Sequence, residues 1–100
     1  MNHNFLIIQS GCPYCRLYHG VIEKFNAVVN PKNRIQVLDV TDEMKFGQKF
    51  YPILDFIDWK GTPTLYLNGI VVEGALSKYD IIGRLNAYFH NIGEKIEVYA

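Results

Sequence analysis

The chain holds two cysteines, Cys12 and Cys15, set in the run Cys12-Pro13-Tyr14-Cys15. Thiols at this spacing can close a disulfide across one helical turn, and so take up or release two electrons without a bound cofactor. Four residues further on stands His19, which extends the pattern to C-x2-C-x3-H. On a helix His19 would share a face with Cys15, so both sulfurs and the imidazole could also meet at a metal ion. That set offers three ligands where a closed structural zinc site uses four, and His3 and His90 lie far away in sequence. Dithiol redox chemistry is the primary reading and metal binding the minor one.

The surrounding pattern shows how the pair would be positioned. Phe5 to Ile8 is a continuous apolar run, as expected of a strand covered on both faces. From Leu17 onward Val21, Ile22, Phe25, Val28 and Val29 recur at helical spacing, and Asn30-Pro31 ends the segment because helical geometry is disfavoured before proline. Pro13 falls where the first helical residue belongs, since its missing N–H would have no partner there anyway. Cys12 then becomes the helix cap, with its sulfur facing free backbone N–H groups at the positive end of the helix dipole. Such settings lower a cysteine pKa to somewhere around 3.5–7.5. Cys12 should therefore attack a disulfide sulfur to form a mixed disulfide, and the shielded Cys15 should displace the product. Tyr14, in the loop, can pack its ring on a docked peptide, and the Arg16 charge can help hold the thiolate.

Beyond the helix, Ile35 to Val40 reads as a second strand. Thr41-Asp42 offers a helix cap, followed by a helical stripe of Phe46, Phe50, Ile53, Leu54 and Ile57 that Pro52 either kinks or restarts. Thr64–Leu67 and Ile70–Val72, joined by Asn68-Gly69, carry the strongest two-residue hairpin signal. Ser77 reads as the cap of a last helix whose apolar face is Ile81, Ile82, Leu85, Tyr88 and Phe89 and which fades near Gly93. Tyr18, Phe46, Phe50, Trp59 and Phe89 are expected to serve the core. The tail Lys95-Ile96-Glu97-Val98-Tyr99 alternates like a strand. The order βαβ, helix, ββα predicts one α/β domain over residues 1–100, a mixed four-stranded sheet with helices on both faces.

Composition narrows the partners. Ten basic and ten acidic residues cancel, and neither sign runs in a block, so nothing favours a nucleic-acid or membrane surface. With no charged n-region or long apolar run at the start, and both cysteines in one motif, a dithiol monomer in the reducing cytoplasm is expected rather than a secreted disulfide scaffold.

The element order, CPYC after the first strand, and Gly61-Thr62-Pro63-Thr64 before the hairpin resemble the thioredoxin superfamily over roughly residues 4 to 92. Within it, a chain this short with Cys12-Pro13-Tyr14-Cys15 is most similar to glutaredoxin. The resemblance implies a cis Thr62–Pro63 bond facing the dithiol, with the Thr62 backbone free to pair with an extended substrate. It implies glutathione as co-substrate and resetting donor, and glutathionylated or disulfide-bonded proteins as substrates. It places Gln9, Pro13, Tyr14, Thr62, Pro63, Gly74 and Ser77 around the substrate or glutathione.

Several positions depart from the glutaredoxin pattern. Gln9 stands where a lysine is usual, Glu73-Gly74 where Gly-Gly is usual, Gly61-Thr62-Pro63 for Thr-Val-Pro, and Ser77 where an aspartate is common. Gly61-Thr62-Pro63-Thr64-Leu65 is closer to thioredoxin and to disulfide oxidases and isomerases. Thioredoxin proper, however, carries a buried acid at the place of Leu6 and a tryptophan at that of Gly11. The alternative to glutaredoxin is thus a thioredoxin-like protein disulfide reductase or isomerase reset by a disulfide reductase instead of glutathione. An iron–sulfur cluster shared between two chains, known in relatives, is disfavoured by the stiff Pro13.

Overall fold

The apolar run at the start of the chain becomes β1 (Asn4–Ile8), and it is apolar from Phe5 onward because both of its faces and both of its edges are covered. On one side it pairs in parallel with β2 (Gln36–Asp39), with Phe5 opposite Gln36 and Ile8 opposite Asp39. On the other it pairs antiparallel with β3 (Thr64–Leu67), with Ile7 opposite Thr64. β4 (Ile70–Glu73) closes the sheet in the order β2-β1-β3-β4. The computed structural model describes residues 3–42, 51–55 and 61–99.

The expected hairpin joins β3 and β4. Asn68 and Gly69 have φ of 47° and 99°, the pair of positive values that a tight two-residue turn between twisted strands demands. The parallel pair needs a crossover, and α1 (Pro13–Asn26) provides it. This helix stops earlier than its apolar spacing suggests. Asn26 turns its amide onto the chain ahead, donating to the Ile35 carbonyl and accepting from the Ile35 N–H, both at 2.8 Å. Val28 consequently lies past the helix end and is exposed instead of facing the core, whereas Val29 is buried. Asn30-Pro31 opens a 3-10 turn, Pro31–Asn33, in which the Asn30 side chain accepts from the Lys32 N–H.

α2 (Lys78–Asn91) packs beside α1 on one face of the sheet. Leu6, Leu65, Leu67 and Val72 point into this layer and meet Tyr18, Val21, Ile22 and Phe25 of α1 and Ile81, Leu85 and Phe89 of α2. Phe25 and Phe89 stack with ring centroids 5.7 Å apart. Each such fully buried side chain stabilises the fold by about 1.5–3 kcal/mol. The alternate residues Phe5 and Ile7, with Leu38 and Val40, form a second layer on the other face. Among the described residues that face is covered by Leu54, with half-buried Tyr51 beside it. Leu54 belongs to a 3-10 turn, Pro52–Asp55, so Pro52 begins a helical piece of its own. Phe46, Phe50, Ile57 and Trp59 lie outside the described residues.

The tail uses its strand-like alternation without joining the sheet. Ile96 and Val98 pack against the main core, and the Asn86 amide takes both backbone groups of Val98, donating to its carbonyl (2.9 Å) and accepting from its N–H (3.0 Å). A side chain thus supplies the hydrogen bonds that a neighbouring strand would otherwise supply. Mixed sheet, crossover helix, hairpin and closing helix make this a thioredoxin-like α/β fold. No helix among the described residues is long and apolar enough to cross a membrane.

Candidate active site

β1 ends at Ile8, and four residues, Gln9 to Cys12, carry the chain into α1. Gly11 takes φ +78°, a left-handed conformation that glycine adopts without a side-chain penalty, and so turns the chain into the helix start. The loop is tied to the end of β2: the Ser10 N–H donates to the Thr41 hydroxyl (2.8 Å), which donates in turn to the Asp39 carboxylate (2.5 Å). Asp39 also accepts from the Thr41 N–H at 2.9 Å.

Cys12 is the N-cap of α1, with extended backbone and Pro13 as the first helical residue. Its sulfur accepts a hydrogen bond from the Cys15 N–H at 3.2 Å, so one of the orphan donors of the helix end points at sulfur. Cys12 and Cys15 form a disulfide with Cα atoms 5.2 Å apart, within the span that a disulfide bridges comfortably. Their surroundings differ: Cys12 is half-buried, whereas Cys15 is only 3% exposed and lies behind it. Tyr14, between them, is 45% exposed, and Pro13 is also at the surface.

Register places the second half of the candidate site. Ile8 faces Asp39, Ile7 faces Thr64 and Thr64 faces Glu73, so Asp39, Ile8, Pro63 and Gly74 fall in a row at the sheet end where α1 begins. The Thr62–Pro63 bond is cis, as the family resemblance implies. Pro63 is buried and Thr62 half-buried, and the Thr64 hydroxyl donates to the Gly61 carbonyl (2.6 Å), closing the turn that holds them. Gly74 has φ +94°, and its carbonyl accepts from the Tyr18 hydroxyl at 2.9 Å. The Tyr18 phenol is pushed to a raised pKa, chiefly by burial, with Glu73 adding to the shift and Arg84 opposing it. Ser77 begins α2, where its hydroxyl accepts from the Asp80 N–H (3.1 Å) and donates to the Asp80 carboxylate (2.9 Å). That side chain is committed to capping.

Gln9 shares a cleft with the dithiol. Together with Ser10, Gly11, Cys12, Cys15, Arg16, His19 and Asp39 it lines a cleft of about 170 Å³. A roomier hollow of about 470 Å³ lies between His3, Asn33, Asn68 and Tyr88 and is lined by no thiol or carboxylate, so volume does not locate the chemistry. Among the described residues no cluster of three or more His, Cys, Asp or Glu is arranged to hold a metal ion. Sequence reasoning overlooked the Asp39–Thr41 tether and the Tyr18–Gly74 bond. The first has no local signal, because residues 10 and 41 meet only through the parallel pairing. The second could have been sought, since a phenol three residues after Cys15, on the buried face of α1, requires a polar partner.

Fold and site together define a thioredoxin-like α/β domain carrying a CxxC disulfide at a helix N-terminus, an arrangement compatible with thiol–disulfide redox chemistry. No protein-family model and no curated protein matches the chain.

Proposed function

We propose that this protein is a glutaredoxin-like thiol–disulfide oxidoreductase that reduces glutathione mixed disulfides or protein disulfides through Cys12 and Cys15. The observation that carries the reading is the unequal placement of the two sulfurs. Cys12 sits half-exposed on the N–H groups of the α1 end, where a thiolate is stabilised, while Cys15 lies buried one turn inside. In the reduced protein the Cys12 thiolate attacks a substrate disulfide, one sulfur leaves as a thiol, and Cys15 then displaces the other as the Cys12–Cys15 bond forms. Glutathione serves as co-substrate and returns the two electrons. Extended substrates lie along the Thr62–Pro63 turn, with Tyr14 packed on them, and Gln9, Gly74 and the Ser77 loop border the glutathione site.

A second reading is favoured by two particular residues. Gln9 brings no charge to the cleft, and Glu73 adds an anion beside Gly74 at the end of the sheet. Both work against a ligand with two carboxylates, and a thioredoxin-like reductase or isomerase reset by a disulfide reductase would not need one.

Turnover of a glutathione mixed disulfide in a glutathione-coupled assay, with Cys12→Ser as control, decides between them. Robust activity that vanishes in Cys12→Ser supports the glutaredoxin reading. A folded, reducible protein without turnover removes it and leaves the glutathione-independent reductase.

A further inference from the structure

The C-x2-C-x3-H spacing contains one residue that the dithiol chemistry above leaves unused. His19 lines the same cleft as Cys12 and Cys15. Side chains on a helix lean back over the preceding turn, so a residue four positions after Cys15 covers the turn that carries the Cys15 thiol. The His19 side chain is 40% exposed and thus does not serve to fill the core.

What the cleft must supply is a proton acceptor for Cys15. The helix end favours the thiolate of Cys12, whereas Cys15, only 3% exposed, must give up its proton for its sulfur to displace the product. Three groups with exchangeable protons or charge line the cleft with Cys15, Arg16 and His19 from α1 and Asp39 from β2, and Glu23 of α1 stands beside His19. The Arg16 guanidinium is permanently charged and accepts nothing. Asp39 already accepts from both the N–H and the hydroxyl of Thr41. Glu23 lies against the far side of the imidazole, its Oε1 3.4 Å from Nε2. In a neutral imidazole whose Nε2 hydrogen faces that carboxylate, the Nδ1 lone pair is the acceptor.

We propose that His19 is the base that takes the proton of Cys15 when Cys15 displaces the product from the mixed disulfide, directly or through one water in the cleft. The inference rests on the dithiol reading above. In the step, the Cys15 S–H bond breaks and its proton passes to His19 Nδ1. The sulfur electron pair forms the Cys12–Cys15 bond, and the bond from Cys12 to the substrate sulfur breaks, the leaving thiolate taking its electrons. The dithiol is oxidised, the substrate is reduced, and His19 hands its proton to the departing thiolate or to water.

The test uses the reduced full chain and one equivalent of the aromatic disulfide 5,5′-dithiobis(2-nitrobenzoate), followed by the release of coloured thiolate. Wild type should release one thiolate as Cys12 attacks and a second as Cys15 displaces the other half. In His19→Gln the second phase should slow relative to the first by about 10²-fold at neutral pH, the low end of general-base contributions. The gap should close in alkaline solution, where the Cys15 thiol ionises unaided. Equal second phases at neutral pH overturn the inference, and so does a gap that persists unchanged in alkali, which marks a merely structural effect. A wild-type protein with no second phase removes the dithiol reading itself, and this inference with it.

Discussion

The two long helices of this domain begin in the same way and to opposite ends. α1 opens with Cys12-Pro13-Tyr14-Cys15 and α2 with Ser77-Lys78-Tyr79-Asp80. In each, a residue with extended backbone turns its side-chain acceptor onto the N–H three positions later: Cys12 Sγ on Cys15 at 3.2 Å, Ser77 Oγ on Asp80 at 3.1 Å. Each has an exposed tyrosine at the second helical position. At α2 the positive helix end is answered by the Asp80 carboxylate, which also accepts a hydrogen bond from the serine hydroxyl. At α1 the first turn contains no acid, and the positive end is answered by the Cys12 sulfur. One capping geometry therefore holds a helix in place when the acceptor is a hydroxyl and, on the function proposed above, prepares a nucleophile when it is a thiol with no carboxylate in the same turn.

The largest effect should come from erasing the difference. Cys12→Ser turns the α1 start into a copy of that of α2, and disulfide turnover should disappear. Stability relative to reduced wild type should change by no more than about 1 kcal/mol, because serine is a good cap. Thermal melts read beside the coupled assay check both halves, and a collapse of the fold would break the comparison. Next, Ser77→Ala removes the oxygen that only supports α2. It should lower stability by about 1 kcal/mol, a fall in melting temperature of roughly 4–8 °C for a domain of this size, and leave the rate of Cys12 alkylation unaltered.

A smaller effect follows from giving α1 the acid it lacks. Arg16→Glu sets a carboxylate within the first turn, where it competes with the Cys12 thiolate for the helix end. With about 0.3–1 kcal/mol at stake, alkylation of reduced protein at neutral pH should slow by roughly two- to fivefold. An unchanged rate would show that neither the Arg16 charge nor the helix end governs the reactivity of Cys12. Away from the caps themselves, the two helix starts are linked by the Tyr18 hydroxyl on the Gly74 carbonyl just ahead of Ser77. Burial raises the Tyr18 pKa above its ordinary 10.0, so the native state favours the neutral phenol. Its contribution should be complete below pH about 10 and should be lost as pH rises through the higher folded value. Urea melts of Tyr18→Phe should show about 1 kcal/mol less stability at neutral pH and a flatter alkaline limb than wild type.

Much of this was legible because the signals were local and mutually consistent. Continuous apolarity marked β1, Asn68-Gly69 marked the hairpin, and Pro13 and Ser77 marked the helix starts, so the mixed sheet and the cap position of Cys12 followed from neighbouring residues. What escaped prediction was set across the chain. α1 ends at Asn26 because that amide binds Ile35, nine residues away, and no periodicity reveals it. The tail looked like a strand, yet its partner is the Asn86 side chain on a helix, a pairing outside any strand rule. In the site, the thiols and Pro63 came from spacing and resemblance. The cleft that gathers Gln9, Asp39 and His19 depends on the parallel register of β1 with β2 and on the lean of α1 side chains.

The hydrogen bond from the Cys15 N–H to Cys12 Sγ reaches beyond reactivity. In the oxidised protein that donor meets a neutral sulfur, and after reduction and ionisation the same donor would meet a full negative charge. Any free energy so gained belongs to a thermodynamic cycle that joins folding to redox state: it makes the reduced form harder to unfold than the oxidised form would predict, and makes the couple a stronger oxidant by about 30 mV for every ~1.4 kcal/mol. How far the fold shifts the Cys12–Cys15 couple from that of the unfolded chain can therefore be read, without any redox partner, from the difference in unfolding free energy between the two forms.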